Sequence, residues 1–161
     1  KKNNNVIFVI IGEGDQRQEL ETLIQKEKLG EFFRLPGWAD YKQLVHVYNL
    51  ADVFILPSIR DDQGNLDDQS VAVVEAMACA KPIISTDFPG YRIVVEDDKN
   101  GFLVPERADN KIAQVIIKLV ESKQLRTRMG NTSRKMILEQ FSWKEIGKQY
   151  TQLFLKVINE K

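Results

Sequence analysis

Short apolar runs alternate along the chain with longer stretches in which apolar residues recur every three or four positions. Residues 6–12, VIFVIIG, form a continuous β-branched and aromatic run, the pattern of a strand buried on both faces. Residues 32–37, 52–58, 81–86 and 101–105 repeat that pattern more briefly and predict four further strands. Between them lie helical patterns. Leu20, Leu23 and Ile24 mark a helix from Asp15 to Leu29 that Gly30 should stop. Asp40 is placed to cap a helix whose buried stripe is Leu44, Val47 and Tyr48. Ser70 to Ala80 reads as a helix of small and apolar residues. Ile112, Val115, Ile116, Leu119 and Val120 form an amphipathic one. Two more patterns follow, through Leu125, Met129 and Met136, and through Ile146, Tyr150, Leu153, Phe154 and Val157.

Strand and helix in regular alternation predict an α/β fold, a Rossmann-like parallel sheet with helices on both faces, because right-handed crossovers place helices there. At 161 residues the chain is expected to form one domain, 1–161. In such folds ligands bind beyond the carboxyl ends of the strands. Three loops leave those ends: Gly12–Asp15, Pro57–Ser70 and Thr86–Gly90.

Composition narrows the function. Lysine plus arginine equals aspartate plus glutamate at 23 each, so no global charge draws the chain to nucleic acid or anionic lipid. The single cysteine, Cys79, excludes an internal disulfide and suits a reducing compartment; the cytoplasm is the expected location. No apolar run reaches the ~20 residues that span a bilayer. The chain opens almost directly on a strand without an initiator methionine, as a piece of a longer protein would.

Candidate chemistry centres on LDDQSVAVVEAMACAKPIIST, which separates Asp67 from Glu75 by seven residues. Two carboxylates so spaced are compatible with catalytic partners, a metal site, or a solvated loop followed by an ordinary helix. Glu75 lies about one and a half turns into a helix of small and apolar residues, where a carboxylate needs a partner. A ligand hydroxyl and a structural salt bridge both qualify. Gly12 and Gly14 form a strand-to-helix turn suited to a close anion, but Arg17 stands where a dinucleotide fingerprint has its third glycine, which disfavours NAD. Residues 58–68 hold four aspartates without the spacing of an EF-hand, so a solvated loop is the simpler reading than a Ca²⁺ or Mg²⁺ site. His46 is the only histidine, which leaves a triad or zinc site little support. Trp38 and Trp143 are expected in the core or at a domain contact.

Taken in order, VIIGEGD, LPGWAD, LADVFILPS, EAMACAKPIIST, NGFLVPE and FSWKEIGKQY resemble the C-terminal domain of group 1 (family 4) retaining glycosyltransferases, over essentially the whole chain. That resemblance implies the donor-binding half of a GT-B enzyme that transfers a sugar from a UDP- or GDP-sugar to a glycan or glycoconjugate acceptor, without a cofactor or divalent metal. It implies that Glu75 binds the ribose of the donor and that Asp67, in place of the family's usual glutamate, contacts the transferred sugar. Asp68-Gln69-Ser70 stands where the family usually has a small-aromatic-Gly segment, with Gln69 counted among the donor-binding residues, and Ser70, Val71 and Ala72 would offer backbone N–H groups to a phosphate or sugar oxygen. Gly12 and Gly14 would floor the diphosphate site, and Arg34, Leu35 and Gly37 would border the base. The family's arginine–lysine phosphate clamp and its N-terminal acceptor domain lie upstream of this sequence. The partners implied are the nucleotide-sugar donor and that acceptor domain, with no nucleic acid and membrane association only through the missing part. Ala80 replaces a common glycine, a change expected to matter less. A GT-B nucleotide-sugar 2-epimerase and a non-catalytic nucleotide-binding or interaction module are the alternatives.

Overall fold

The computed structural model describes residues 6–66 and 71–159. Elements follow in the expected order: β1 (Phe8–Ile11), α1 (Arg17–Lys26), β2 (Phe33–Gly37), α2 (Tyr41–Leu50), β3 (Phe54–Leu56), α3 (Val71–Ala78), β4 (Ile83–Thr86), β5 (Gly101–Val104), α4 (Asp109–Glu121), α5 (Lys123–Met136) and α6 (Trp143–Asn159). A 3₁₀ turn covers Tyr91–Ile93, and one π-helical turn, Ile137–Phe141, joins α5 to α6. All strand pairs are parallel. They form two ladders, β1-β2 and β3-β4-β5. The chain correspondingly divides into two compact units, Lys1–His46 and Val47–Lys161, with the division inside α2.

In the first unit β1 pairs with β2, and the rings of Phe8 and Phe33 stack at 4.9 Å. The expectation of a strand buried on both faces fails here: Ile7 is 52% and Val9 54% exposed. Among the described residues β1 has one strand neighbour, so a run composed for two-sided burial shows apolar side chains to solvent. The stop of α1 also differs. Lys28 takes the left-handed conformation (φ 55°), and the N–H groups of Lys28 and Leu29 donate to the carbonyls of Gln25 and Ile24 at 3.0 and 2.9 Å. This Schellman closure ends the helix at Lys26 and turns the chain at Lys28, two residues before Gly30. Asp40 does cap α2, its Oδ1 accepting from the Lys42 N–H at 3.1 Å.

The second unit carries a full core. All four residues of β4 are buried, so its sheet is covered on both faces. Ile84, Phe102, Val104, Val115, Leu119 and Met129 form the cluster that joins the sheet to α4 and α5. Val73, Ala76 and Met77 of α3 are buried as well. Ser85 is fully buried and its hydroxyl has no partner among the described residues. Trp143 is 89% exposed, and Trp38 in the first unit 79%, so neither belongs to a core.

The C-terminal end of α3 shows why Ala80 matters more than expected. Ala80 is left-handed (φ 57°), and the N–H groups of Ala80 and Lys81 donate to Met77 and Ala76 carbonyls at 2.9 and 3.0 Å. A residue with a Cβ spends roughly 1–2 kcal/mol in that conformation, which glycine avoids. The Ala80 carbonyl lies where a Cβ on Gly130 of α5 would stand 2.1 Å from it. Arg134, one turn further along α5, donates to the Ala78 carbonyl and places a cation at the negative end of α3. Ala80→Gly should therefore stabilise the full-length protein by about 1 kcal/mol in reversible denaturant unfolding. Gly130→Ala should cost about 2 kcal/mol or more, because backbone rather than a flexible side chain must move. Equal stabilities of Gly130→Ala and the parent would refute this packing.

Candidate functional site

In the second unit, three loops leave the carboxyl ends of β3, β4 and β5, and side chains tie them together. The Thr86 hydroxyl donates to the Ser58 carbonyl at 2.7 Å, and the Ser58 hydroxyl shares a hydrogen bond with the Tyr91 hydroxyl at 2.9 Å. Arg60 reaches across to the loop after β5. Its backbone N–H donates to Glu106 Oε1 at 2.8 Å and its guanidinium pairs with Oε2 at 2.5 Å. These contacts, the backbone N–H of Arg60 foremost, hold the Glu106 carboxyl below the usual carboxylate range. The same guanidinium lies 4.8 Å from the centre of the Phe88 ring. Asp61 closes its own turn by accepting from the N–H groups of Gln63 and Asn65 and from the Asn65 amide, at 2.7–2.9 Å. No group of three metal-ligating side chains occurs among the described residues.

Helix α3 begins where this rim ends. Its first-turn N–H groups, including those of Val71 and Ala72, have no acceptor within their own helix. Asp67, Gln69 and Ser70 lie outside the described residues. Glu75 is half-buried on the second turn of α3. The hydroxyl of Tyr48 donates to its Oε2 at 2.9 Å. Glu75 thus has the partner its position demanded, and that partner is a neutral phenol rather than a salt-bridging cation. Tyr48 is 8% exposed, and its ring tilts against Phe54 at 5.8 Å. Burial, and then the Glu75 carboxylate beside it, pushes the Tyr48 hydroxyl well above its ordinary value.

In the first unit, Gly12 (φ 125°) ends β1, and its N–H donates to the Gly37 carbonyl at 2.9 Å. Gly37 is also positive in φ (85°), and a Cβ there would meet Glu13 Oε1 at 2.6 Å. Gly14 accepts from the Arg17 N–H at 3.0 Å and so opens the turn into α1. Arg17 is bound on three sides, by Glu13 at 2.7 Å, Glu21 at 2.9 Å and the Leu35 carbonyl at 2.8 Å. The residue that breaks the dinucleotide fingerprint therefore fastens α1 to the end of β2. Arg34 turns the other way, its guanidinium donating to the carbonyls of Gly30 and Phe33 at 3.0 and 2.8 Å.

Sequence reasoning missed Tyr48, Arg60 and Glu106 as parts of a site. The signal for Tyr48 was present, since a tyrosine in an apolar stripe requires a partner for its hydroxyl. Arg60 and Glu106 are 46 residues apart in sequence, and no local pattern links them.

The fold accords with the comparison to known proteins. The sequence model described as "Glycosyl transferases group 1" matches residues 1–136, and the chain belongs to that family. A putative colanic acid biosynthesis glycosyltransferase, WcaL of Escherichia coli K12, is 36% identical over 107 residues, 66% of this chain and 26% of that protein. An uncharacterized glycosyltransferase of Methanocaldococcus jannaschii, MJ1069, is 29% identical over 154 residues, 96% of this chain and 38% of its own length. Staphylococcus aureus TarM, solved with fondaparinux, alpha-GlcNAc-glycerol and UDP, superposes with a TM-score of 0.81 at 25% identity, covering 95% of this chain and 30% of TarM. The chain thus spans well under half the length of these relatives.

The Tyr48–Glu75 bond has a pH signature. A hydroxyl whose folded pKa is raised adds stability that is fully present below its unfolded value, near 10, and is lost as pH rises toward the folded value. Tyr48→Phe should lower stability at neutral pH by about 1 kcal/mol, and that difference should shrink above pH ~10. Thermal unfolding of parent and variant across neutral and alkaline buffers measures it; a difference that grows with pH would contradict the bond.

Proposed function

We propose that this chain is the donor-binding part of a retaining glycosyltransferase that takes a sugar from a UDP- or GDP-sugar and passes it to a glycan or glycoconjugate in polysaccharide synthesis. One observation carries the reading: Glu75 presents a carboxylate with no cation beside it and one oxygen, Oε1, without a partner among the described residues. An ionised acceptor of that kind suits a neutral hydroxyl and repels a phosphate. A donor ribose supplies such hydroxyls. The α3 N-terminus, with Val71 and Ala72, offers N–H groups to the anionic or sugar oxygens of the same molecule. Asp67, Gln69 and Ser70 keep the roles the family resemblance gives them, the first toward the transferred sugar. The reading rests on the second unit; for the first unit, Gly12, Gly14, Arg34, Leu35 and Gly37 remain the candidate contacts. Membership of the family and the UDP bound by TarM support a nucleotide donor.

Chemically, transfer develops an oxocarbenium-like sugar and a leaving diphosphate. Catalysis then depends on positioned hydrogen-bond donors and on cations supplied elsewhere in the protein. The proposal includes an acceptor-binding domain as partner, transfer without a divalent metal, and a cytoplasmic location, peripheral to the inner membrane face. This chain alone is inactive in that scheme.

Calorimetry of the full-length protein with UDP and with GDP tests the reading. One of the two should bind, and Glu75→Gln should weaken it by about tenfold or more, the worth of a hydrogen bond to a charged group. Unchanged affinity would remove Glu75 from the site. Product analysis with nucleotide sugars then separates transfer from interconversion of the donor.

A further inference from the structure

Glu75 is held from one side only. Among the described residues its hydrogen bond is the one from Tyr48, and no lysine or arginine pairs with it. Tyr48 has little freedom to turn elsewhere. It is buried, packed on Phe54, and carried by a helix whose end is fastened to the residues after α3. There Lys81 Nζ donates to the Asn49 carbonyl at 3.0 Å, and the Ala51 N–H donates to the Tyr48 carbonyl at 3.2 Å. A carboxylate on a helix surface that served only stability would be expected to face a cation or water. This one is instead gripped by a single neutral donor at Oε2, a contact that orients it without neutralising it. A phenol donates one proton and no charge, so the other oxygen keeps its full acceptor strength.

We infer that Tyr48 is a positioning residue that locks the Glu75 carboxylate, so that Oε1 is the oxygen presented to the hydroxyls of the nucleotide sugar. The inference rests on the donor-binding reading of Glu75 given above. Tyr48 does not touch the ligand. Its role is to remove the rotational freedom that Glu75 would otherwise lose on binding, so the pair arrives pre-organised. Two consequences separate this from a purely structural tyrosine. Losing the Tyr48 hydroxyl should matter only while Glu75 is present to be positioned, and only while the ligand has hydroxyls for Glu75 to accept from.

The test uses the full-length protein and whichever of UDP and GDP binds, with affinities measured by calorimetry for the parent, Tyr48→Phe, Glu75→Gln and the double variant. Tyr48→Phe keeps the ring, and thermal unfolding checks that it remains folded. The expected result is a loss of about tenfold for Tyr48→Phe and a double variant no weaker than Glu75→Gln alone. With the analogue of that nucleotide lacking both ribose hydroxyls, parent and Tyr48→Phe should bind equally. If Glu75→Gln weakens binding while Tyr48→Phe does not, or the two losses add, the positioning role is wrong and the donor-binding reading stands. An equal Tyr48→Phe loss with the hydroxyl-free analogue would likewise overturn it. If Glu75→Gln has no effect, both fall together.

Discussion

Ala80 turns the end of α3 through the left-handed region, and its carbonyl settles where only a glycine lets α5 approach. The placement of Glu75 depends on that contact. A helix of eight residues has few hydrogen bonds of its own to hold its direction. What fixes α3 is the buried face of Val73, Ala76 and Met77, the Schellman closure at Ala80, the seat on Gly130 and the guanidinium of Arg134 at its carbonyl end. The strained alanine shows how firmly the surroundings determine this turn, because a left-handed non-glycine persists only where its neighbours dictate it.

From that anchored helix the polar chemistry follows. Tyr48 belongs to the stripe that docks α2, yet its hydroxyl meets a carboxylate rather than water. The second unit places its ionised side chains in two ways. At the rim, Arg60 pairs with Glu106 across two loops, and Arg92 pairs with Asp87 within the loop after β4. Glu75 is placed otherwise. A carboxylate on the second turn of α3, with no cation paired to it among the described residues, is a reasonable acceptor for a hydroxyl and a poor one for a metal, for which no cluster of ligands stands nearby among those residues.

Much of this was legible in the sequence, and the misses have physical causes. The strands and helices were read from periodicity, and observed boundaries differ by a few residues at most, as at β3, where three residues pair out of the seven that carry the apolar pattern. Asp40 as a cap was legible because capping is local chemistry. The stop at Lys28 was not, since lysine has no intrinsic preference for the left-handed region and Gly30 is the more obvious breaker. Burial of β1 misled because an apolar run reports what a strand is composed for, not which neighbours it has. Glu75 stood out as a carboxylate among small apolar residues. Tyr48, 27 residues earlier, is joined to it only by the packing inside the second unit, which no spacing rule reveals.

The central claim is that Glu75, held by Tyr48, grips a nucleotide sugar by its hydroxyls. A crystal structure of the full-length protein with bound UDP or GDP tests it most directly. The account predicts a ribose hydroxyl within hydrogen-bond distance of Glu75 Oε1 while Tyr48 still donates to Oε2. A nucleotide bound with its ribose remote from Glu75, or a Glu75 carboxylate swung to an arginine or lysine of the complete protein, would contradict it.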